Sequence, residues 1–393
     1  MVKPLMDGRR TSLRWLGGGA LAGLLPARLA FAAPASPPGS ADGPRLVVVL
    51  LRGALDGLAA VPATGDPAWA SLRPATEPPG GAAAAPAPLP LNGMFMLHPA
   101  LAHLHQWYGE GRLLVLHAVG SPYRERSHFD AQQMLESGGE RPFALPTGWL
   151  GRALQAAGQR GVALTSAMPV ALRGADAAST WTPTRNLGSR DDLMARVAEL
   201  YRDDAALRQA FAQSMSQQGM AMGAVNDSSM VSLARQAGSF LAAADGPRVA
   251  WLETDGWDTH TQQVGRLGRQ LAGLDAGLAA LREGLGAQWE RTTVLVMTEF
   301  GRSAAFNGSG GTDHGTGGVA FLAGGAVAGG RVLADWPGLA PAQRLDGRDL
   351  RPTLDLRSVI ASVLQRQFGL ATAAVSGTVL PGAAPLRHEL WRV

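Results

Sequence analysis

The chain predicts an α/β fold, with a mostly parallel central sheet covered by helices on both faces. Three observations point there. Short runs rich in Val, Leu and other apolar residues recur from residue 45 onward; their near-continuous hydrophobicity is that of strands buried on both sides. Segments with apolar residues at three- and four-residue spacing separate them. Polar clusters holding acids and histidines stand beside several of these runs, where open α/β sheets gather their ligand groups.

The elements follow in order. Arg45–Leu51 reads as a buried strand. Residues 75–91 are a Pro/Ala-rich loop. His98–Tyr108 alternates apolar and polar positions at helical spacing, Arg112–Val119 is a second buried strand, and a helix starts near Asp130 and runs to Ser137. Val162–Arg173 supplies further strand. Residues 189–244 are rich in Ala, Gln, Arg and Met with few breakers, and read as a helical insertion capping the sheet. Arg248–Thr254 returns to strand, and Gln262–Leu285 is a long amphipathic helix. Thr292–Thr298 and Val319–Ala323 are strands, and Leu354–Phe368 is a last helix.

Composition narrows the function. The chain has 393 residues, 46% of them hydrophobic, enough to build a large core. The formal charge of +4 is carried by residues 1–32, where Lys3, Arg9, Arg10, Arg14 and Arg28 face only Asp7. The remainder is balanced, leaving no basic field for a nucleic-acid backbone. There is no cysteine. Any metal site must therefore use oxygen and nitrogen donors, and a thiol nucleophile is excluded.

Residues 1–32 read as an export signal. Arg9-Arg10 precede a weakly apolar stretch, and Ala30-Phe31-Ala32 offers small residues for cleavage. The paired arginines resemble a twin-arginine signal. Residues 33–44 follow as a linker, and the domain spans residues 45–393. The expectation is a periplasmic or secreted protein that meets the twin-arginine export machinery. No stable membrane span remains after cleavage, since Pro26 and Arg28 interrupt the apolar stretch.

The candidate site residues are Asp56 after the first strand, Ser127 and His128 after the second, and Asp255, Asp258 and His260 after VAWLET. Glu299 and Arg302 follow TTVLVMT, and Asp313 and His314 precede GGVAFLAGG. Carboxylates and imidazoles of this kind suit Zn²⁺, Mn²⁺, Mg²⁺ or Ca²⁺. One or two such ions are expected, two of them acting as a clamp on a transferring group. Ser127 is the candidate nucleophile, at a helix start where amide groups favour an anion. His128 adjoins it, and Arg302 or Arg126 offers a forked contact to an anionic ester. Other readings stand beside these. Asp56-Gly57 forms turns readily, Ser127 and Asp130 fit a helix cap, and Glu299 with Arg302 fits an ion pair. His98, His103, His105 and His117 are read as structural.

The motifs LRGALDGL, RSHFDAQ, TDGWDTH, TEFGRS, NGSGGTDHG and DWPGL, in that order, resemble the bacterial family called domain of unknown function 1501. The resemblance covers roughly Arg45 to the C-terminus. It implies a three-layer sandwich of the alkaline phosphatase and sulfatase superfamily. It implies a metal-binding Asp at Asp56 and a nucleophile at Ser127, with an Asp–His pair following. For that pair the chain offers Asp255 or Asp258 with His260, and Asp258 is preferred because alternate residues of an extended segment can face one metal. Two placements compete for the last ligands, Asp313-His314 together or Glu299 with His314, and the second is preferred because TTVLVMT ends in Glu299 and GTDHGTGGVAFLAG has the form of a loop just before a strand. The expected activity is metal-dependent hydrolysis of phosphate or sulfate esters. The rival is a non-catalytic envelope protein that keeps the fold, or an assembly partner of the neighbouring domain of unknown function 1800 family.

Overall fold

The computed structural model describes residues 43–74, 86–183 and 227–392, with 197–205, 207–209, 211–212 and 215 between them. By compactness the chain divides into Met1–Phe31 and Ala32–Val393. The proposed export signal, most of the proposed linker and part of the proposed helical insertion lie outside the described residues.

The sheet is built around strand β1 (Arg45–Leu51), which has β7 (Val249–Thr254) on one side and β8 (Thr292–Thr298) on the other, both parallel to it. Beyond β7 come β5 (Gly161–Ala163) and β6 (Ala178–Thr180), also parallel. Beyond β8 lies β9 (Gly318–Ala323), then β4 (Leu113–Gly120), with β10 (Arg331–Leu333) and β11 (Leu354–Asp355) on its far edge. Strand β9 runs antiparallel to both of its neighbours. The other pairings in this sheet are parallel. A separate two-stranded ribbon joins β2 (Leu89–Pro90) to β3 (Met96–Leu97).

The period-2 alternation of β1 produces the layers. Val47, Val49 and Leu51 enter one core, while Leu46, Val48 and Leu50 enter the other. The first core is closed by Leu104 and Trp107 of α3 (Ala102–Gly109), by α6 (Met230–Ala242) and by the long α7 (Gln263–Leu285). The second is closed by α5 (Trp149–Ala157) and α8 (Leu356–Phe368). Both faces of the sheet are thus buried, which is why its strands read as unbroken apolar runs. The fold is the expected three-layer α/β sandwich.

Expected and observed elements agree with small differences. The helix starting near Asp130 begins two residues earlier, at His128, as α4 (His128–Ser137). Within Val162–Arg173 only Ala163 and its neighbours form strand, and Val170–Leu172 turn as a short 3₁₀ segment. The sequence pattern gave no sign of β6, β10 or β11, which are two or three residues long and take their conformation from the strands beside them.

His117 lies inside β4 and is fully buried. Its Nε2 faces the Val61 carbonyl at 2.9 Å, its Nδ1 accepts the Ala118 amide at 2.8 Å, and it stacks on Phe95. Burial pulls its pKa down to about 4 against the favourable Val61 contact and the more distant charge of Asp56. The folded state therefore holds His117 neutral, and its contribution is complete above the unfolded value near 6.5. As pH falls from there toward 4 the unfolded chain takes up a proton that the folded chain refuses, and stability drops. Urea midpoints of metal-free protein should decline over that window. The decline should be shallower in His117→Gln.

Candidate metal centre

The carboxyl ends of β1, β4, β7 and β8 and the amino end of β9 meet on one edge of the sheet. The antiparallel course of β9 accounts for the last of these. Residues before β9 reach the same edge as residues after the parallel strands.

Three histidines converge there. The Nε2 atoms of His128 and His314 are 3.0 Å apart, as are those of His260 and His314. Asp258 joins them. Its Oδ1 lies 3.0 Å from His260 Nε2 and 3.3 Å from His314 Nε2, and its Oδ2 lies 3.6 Å from His128 Nε2. The tightest set is His128, Asp258 and His314, with one donor atom from each inside a 4.8 Å span. His260 adds a fourth donor from the more exposed side.

The outer nitrogen of every ring is occupied. His128 Nδ1 is 2.8 Å from Glu299 Oε1, His314 Nδ1 is 3.0 Å from the Arg126 carbonyl, and His260 Nδ1 is 3.2 Å from Asp313 Oδ1. Carboxylates and carbonyls only accept, so each Nδ1 carries a proton, and a ring that is neutral turns a bare Nε2 inward. Lone pairs facing one another at 3.0 Å repel unless a cation or proton lies between them. Burial, the adjoining His128 and the Arg302 charge hold His314 below its ordinary pKa despite the Arg126 carbonyl and Asp258, which favours a neutral ring.

Three of these donors, from His128, Asp258 and His314, stand close enough together to share one ion. Bonds of about 2.0–2.1 Å give donor separations of about 3.3 Å, and the observed contacts run from 3.0 to 3.6 Å. Outer-nitrogen partners of this kind are the usual support of metal-bound imidazoles.

The predicted residues divide into three groups. His128, Asp258 and His314 face one point, and His260 stands beside Asp258 and His314. Glu299 and Asp313, expected as ligands, stand behind histidines instead. Glu299 is 1% exposed. Its Oε1 accepts from Gly53 N, His128 and Gln132, and its Oε2 accepts from Thr298. Burial opposes its charge, but His128, Gln132 and the Gly53 amide hold its carboxyl below the ordinary range. The Asn307 amide, then His260, do the same for Asp313.

The third group lies outside the cluster. Asp56 is 1% exposed. It accepts from Arg73 at 2.7 and 3.2 Å, from Gln263 at 2.6 Å and from Ala59 N at 3.1 Å, so no lone pair remains for an ion. Asp255 is exposed at the surface, with only its carbonyl engaged, by Gln270. Ser127 starts α4 but does not cap it with its side chain. Arg302 is buried, and its three nitrogens go to Asp258, the Thr312 hydroxyl and the Thr312 carbonyl, so it holds a ligand rather than an ester. Burial opposes the Asp258 charge, but Arg302, then His260 and His128, keep its carboxyl below the ordinary range. Arg126 places two nitrogens on the buried Asp349.

Two glycines permit the close approaches. Gly53 has φ 113°, and a Cβ there would stand 2.6 Å from the Asp258 amide. At Gly301 it would stand 1.8 Å from the Gly317 carbonyl. A side chain at either position displaces the strand ends that carry the cluster.

The chain belongs to the family described as Protein of unknown function (DUF1501), which matches residues 114–381. No curated protein matches it in sequence. Solved structures similar to it include the murine ectonucleotide pyrophosphatase/phosphodiesterase 5, at 12% identity and TM-score 0.32, covering 66% of this chain and 57% of that one. The PsFucS1 sulfatase from Pseudoalteromonas sp. is similar at 14% identity and TM-score 0.36, covering 75% and 64%. The lipoteichoic acid synthase LtaP from Listeria monocytogenes is similar at 8% identity and TM-score 0.36, covering 87% and 76%. The chain spans less than two thirds of the first two proteins' own lengths. Overlaps this loose say nothing of chemistry.

The Asp56–Arg73 pair gives a direct test of the structural assignment of Asp56. Arg73→Leu leaves a buried carboxylate without its counter-charge and should cost about 3–5 kcal/mol, read from urea unfolding. A loss under about 1 kcal/mol would mean that Asp56 has another partner, such as an ion.

Proposed function

We propose that the protein is an exported, metal-dependent hydrolase of phosphate or sulfate esters, with one divalent ion held by His128, Asp258, His260 and His314. The observation that carries the reading is the set of three bare Nε2 atoms turned toward one carboxylate. Three imidazoles suit Zn²⁺ or another transition ion, whereas Mg²⁺ and Ca²⁺ prefer oxygen donors. One ion rather than two follows from Asp56, whose carboxylate is filled by protein donors.

When bound, such an ion supplies Lewis-acid polarisation of an ester oxygen. The chain's own residues prepare its place. Glu299, Asp313 and the Arg126 carbonyl keep the three rings in one tautomer and one orientation. Arg302 keeps Asp258 ionised and directed at them. The edge stays open on the side of His260 and Asp258, whose side chains are 42% and 41% exposed, so an ester can approach from there. Export remains a reading of the N-terminal sequence.

A second reading is favoured by two observations. His260 Nε2 stands beside the other donors, where it would fill the position that a catalytic site keeps open, and Arg302 is spent on Asp258 and Thr312 rather than on an ester. A metal-holding protein without turnover has this geometry.

Elemental analysis should find one divalent ion per chain, and His314→Ala should lose it. Stripping with a chelator should lower the melting temperature. Restoring the ion at about 100 times its Kd should return about 2.7 kcal/mol of stability. Hydrolysis of p-nitrophenyl phosphate or sulfate that follows metal content supports the enzyme. Metal without turnover supports the second reading, and protein that binds no ion under any loading sinks both.

A further inference from the structure

Two polar motif residues stand behind the cluster rather than in it: Arg52 of LRGALDGL and Gln132 of RSHFDAQ. They meet each other. Arg52 Nη1 donates to Gln132 Oε1 at 2.9 Å, and Gln132 Nε2 donates to Glu299 Oε1 at 2.9 Å. That same oxygen accepts the His128 Nδ1 proton at 2.8 Å.

The direction of the chain of bonds is set by chemistry. A guanidinium only donates and a carboxylate only accepts, so the Gln132 amide can lie one way round only. Reversed, it would aim its oxygen at Glu299 and its NH₂ at Arg52. Arg52 is itself immobilised. Its Nη2 bridges Glu136 at 2.8 Å and Glu253 at 2.7 Å, and its backbone amide binds the Thr254 carbonyl at 2.8 Å. Glu136 is anchored by the Ala171 amide at 3.2 Å, and Glu253 by the Trp251 indole at 3.2 Å. A rigid ion triad at the ends of β1 and β7 thus reaches the metal cluster through one amide and one carboxylate.

We propose that Gln132, oriented by Arg52, is a positioning residue for the metal ion, setting the affinity and geometry of the site through Glu299 and His128. This rests on the metal reading above. Without the Gln132 donor, Glu299 Oε1 keeps Gly53 N and His128 but loses its tie to the Arg52 ion triad. Glu299 can then turn, and His128 with it.

Gln132→Met keeps the length of the side chain and removes both hydrogen bonds. Gln132→Glu keeps the shape and sets a second carboxylate against Glu299. Gln106→Met, on an exposed residue bonded to Glu110, is the control. Zn²⁺ affinity by chelator competition, the visible spectrum of the Co²⁺-loaded protein and the melting temperature in excess chelator are measured for each. Both Gln132 variants should bind Zn²⁺ about 10–100-fold more weakly, with altered Co²⁺ d–d bands, and should melt with the wild type when metal-free. The control should match the wild type throughout. Zn²⁺ affinity within about two-fold of wild type in both variants, with an unchanged Co²⁺ spectrum, overturns the proposal. So does a fall in metal-free melting temperature large enough to account for the whole loss. A wild type that binds neither ion removes the metal reading itself, an outcome distinct from either.

Discussion

The site depends on where three protons sit. Each imidazole gives its Nδ1 proton to an acceptor held by the scaffold, which leaves three bare Nε2 atoms within about 3 Å of a neighbour. In an apo protein this is an unfavourable arrangement of lone pairs. A bound cation turns it into a favourable one. The surrounding structure, from the Glu299 hub to the Arg302 clasp on Asp258, serves to keep the rings from turning away.

The sheet makes the convergence possible through one reversal of direction. His128 and His260 follow strands that run one way, while His314 precedes β9, which runs the other way. Had β9 been parallel to its neighbours, Asp313 and His314 would lie at the opposite edge. The reversal also brings the loop from Gly301 against Gly317, a crossing that requires glycine.

Charge is partitioned between two kinds of carboxylate. Asp56 and Asp349 are buried against arginines and hold loops together. Glu299 and Asp313 are spent on histidine protons. Only Asp258 keeps an oxygen directed at the Nε2 cluster. The acid residues were visible in the sequence as candidates, yet their separation into these roles depends on partners that are distant in the chain. Arg73 for Asp56 and Arg302 for Asp258 are examples. Of the acids offered as ligands Asp258 faces the Nε2 cluster, and so does His128, which was read as a neighbour of Ser127.

By itself the sequence determined the layered α/β class, because strands buried on both faces must be apolar throughout. It also determined the loops that hold the site, because Asp, His and Gly next to such strands have few other uses. It offered both Asp255 and Asp258 and preferred Asp258 by the alternation of an extended segment; in the structure Asp258 stands beside His260 and His314 while Asp255 is exposed. Only the tertiary structure decided the direction of β9, the pairing of Asp56 with Arg73 and the orientation of each imidazole. These are contacts between residues far apart in the chain, and hydrogen bonds and ion pairs at such separations leave no periodic trace in a single sequence.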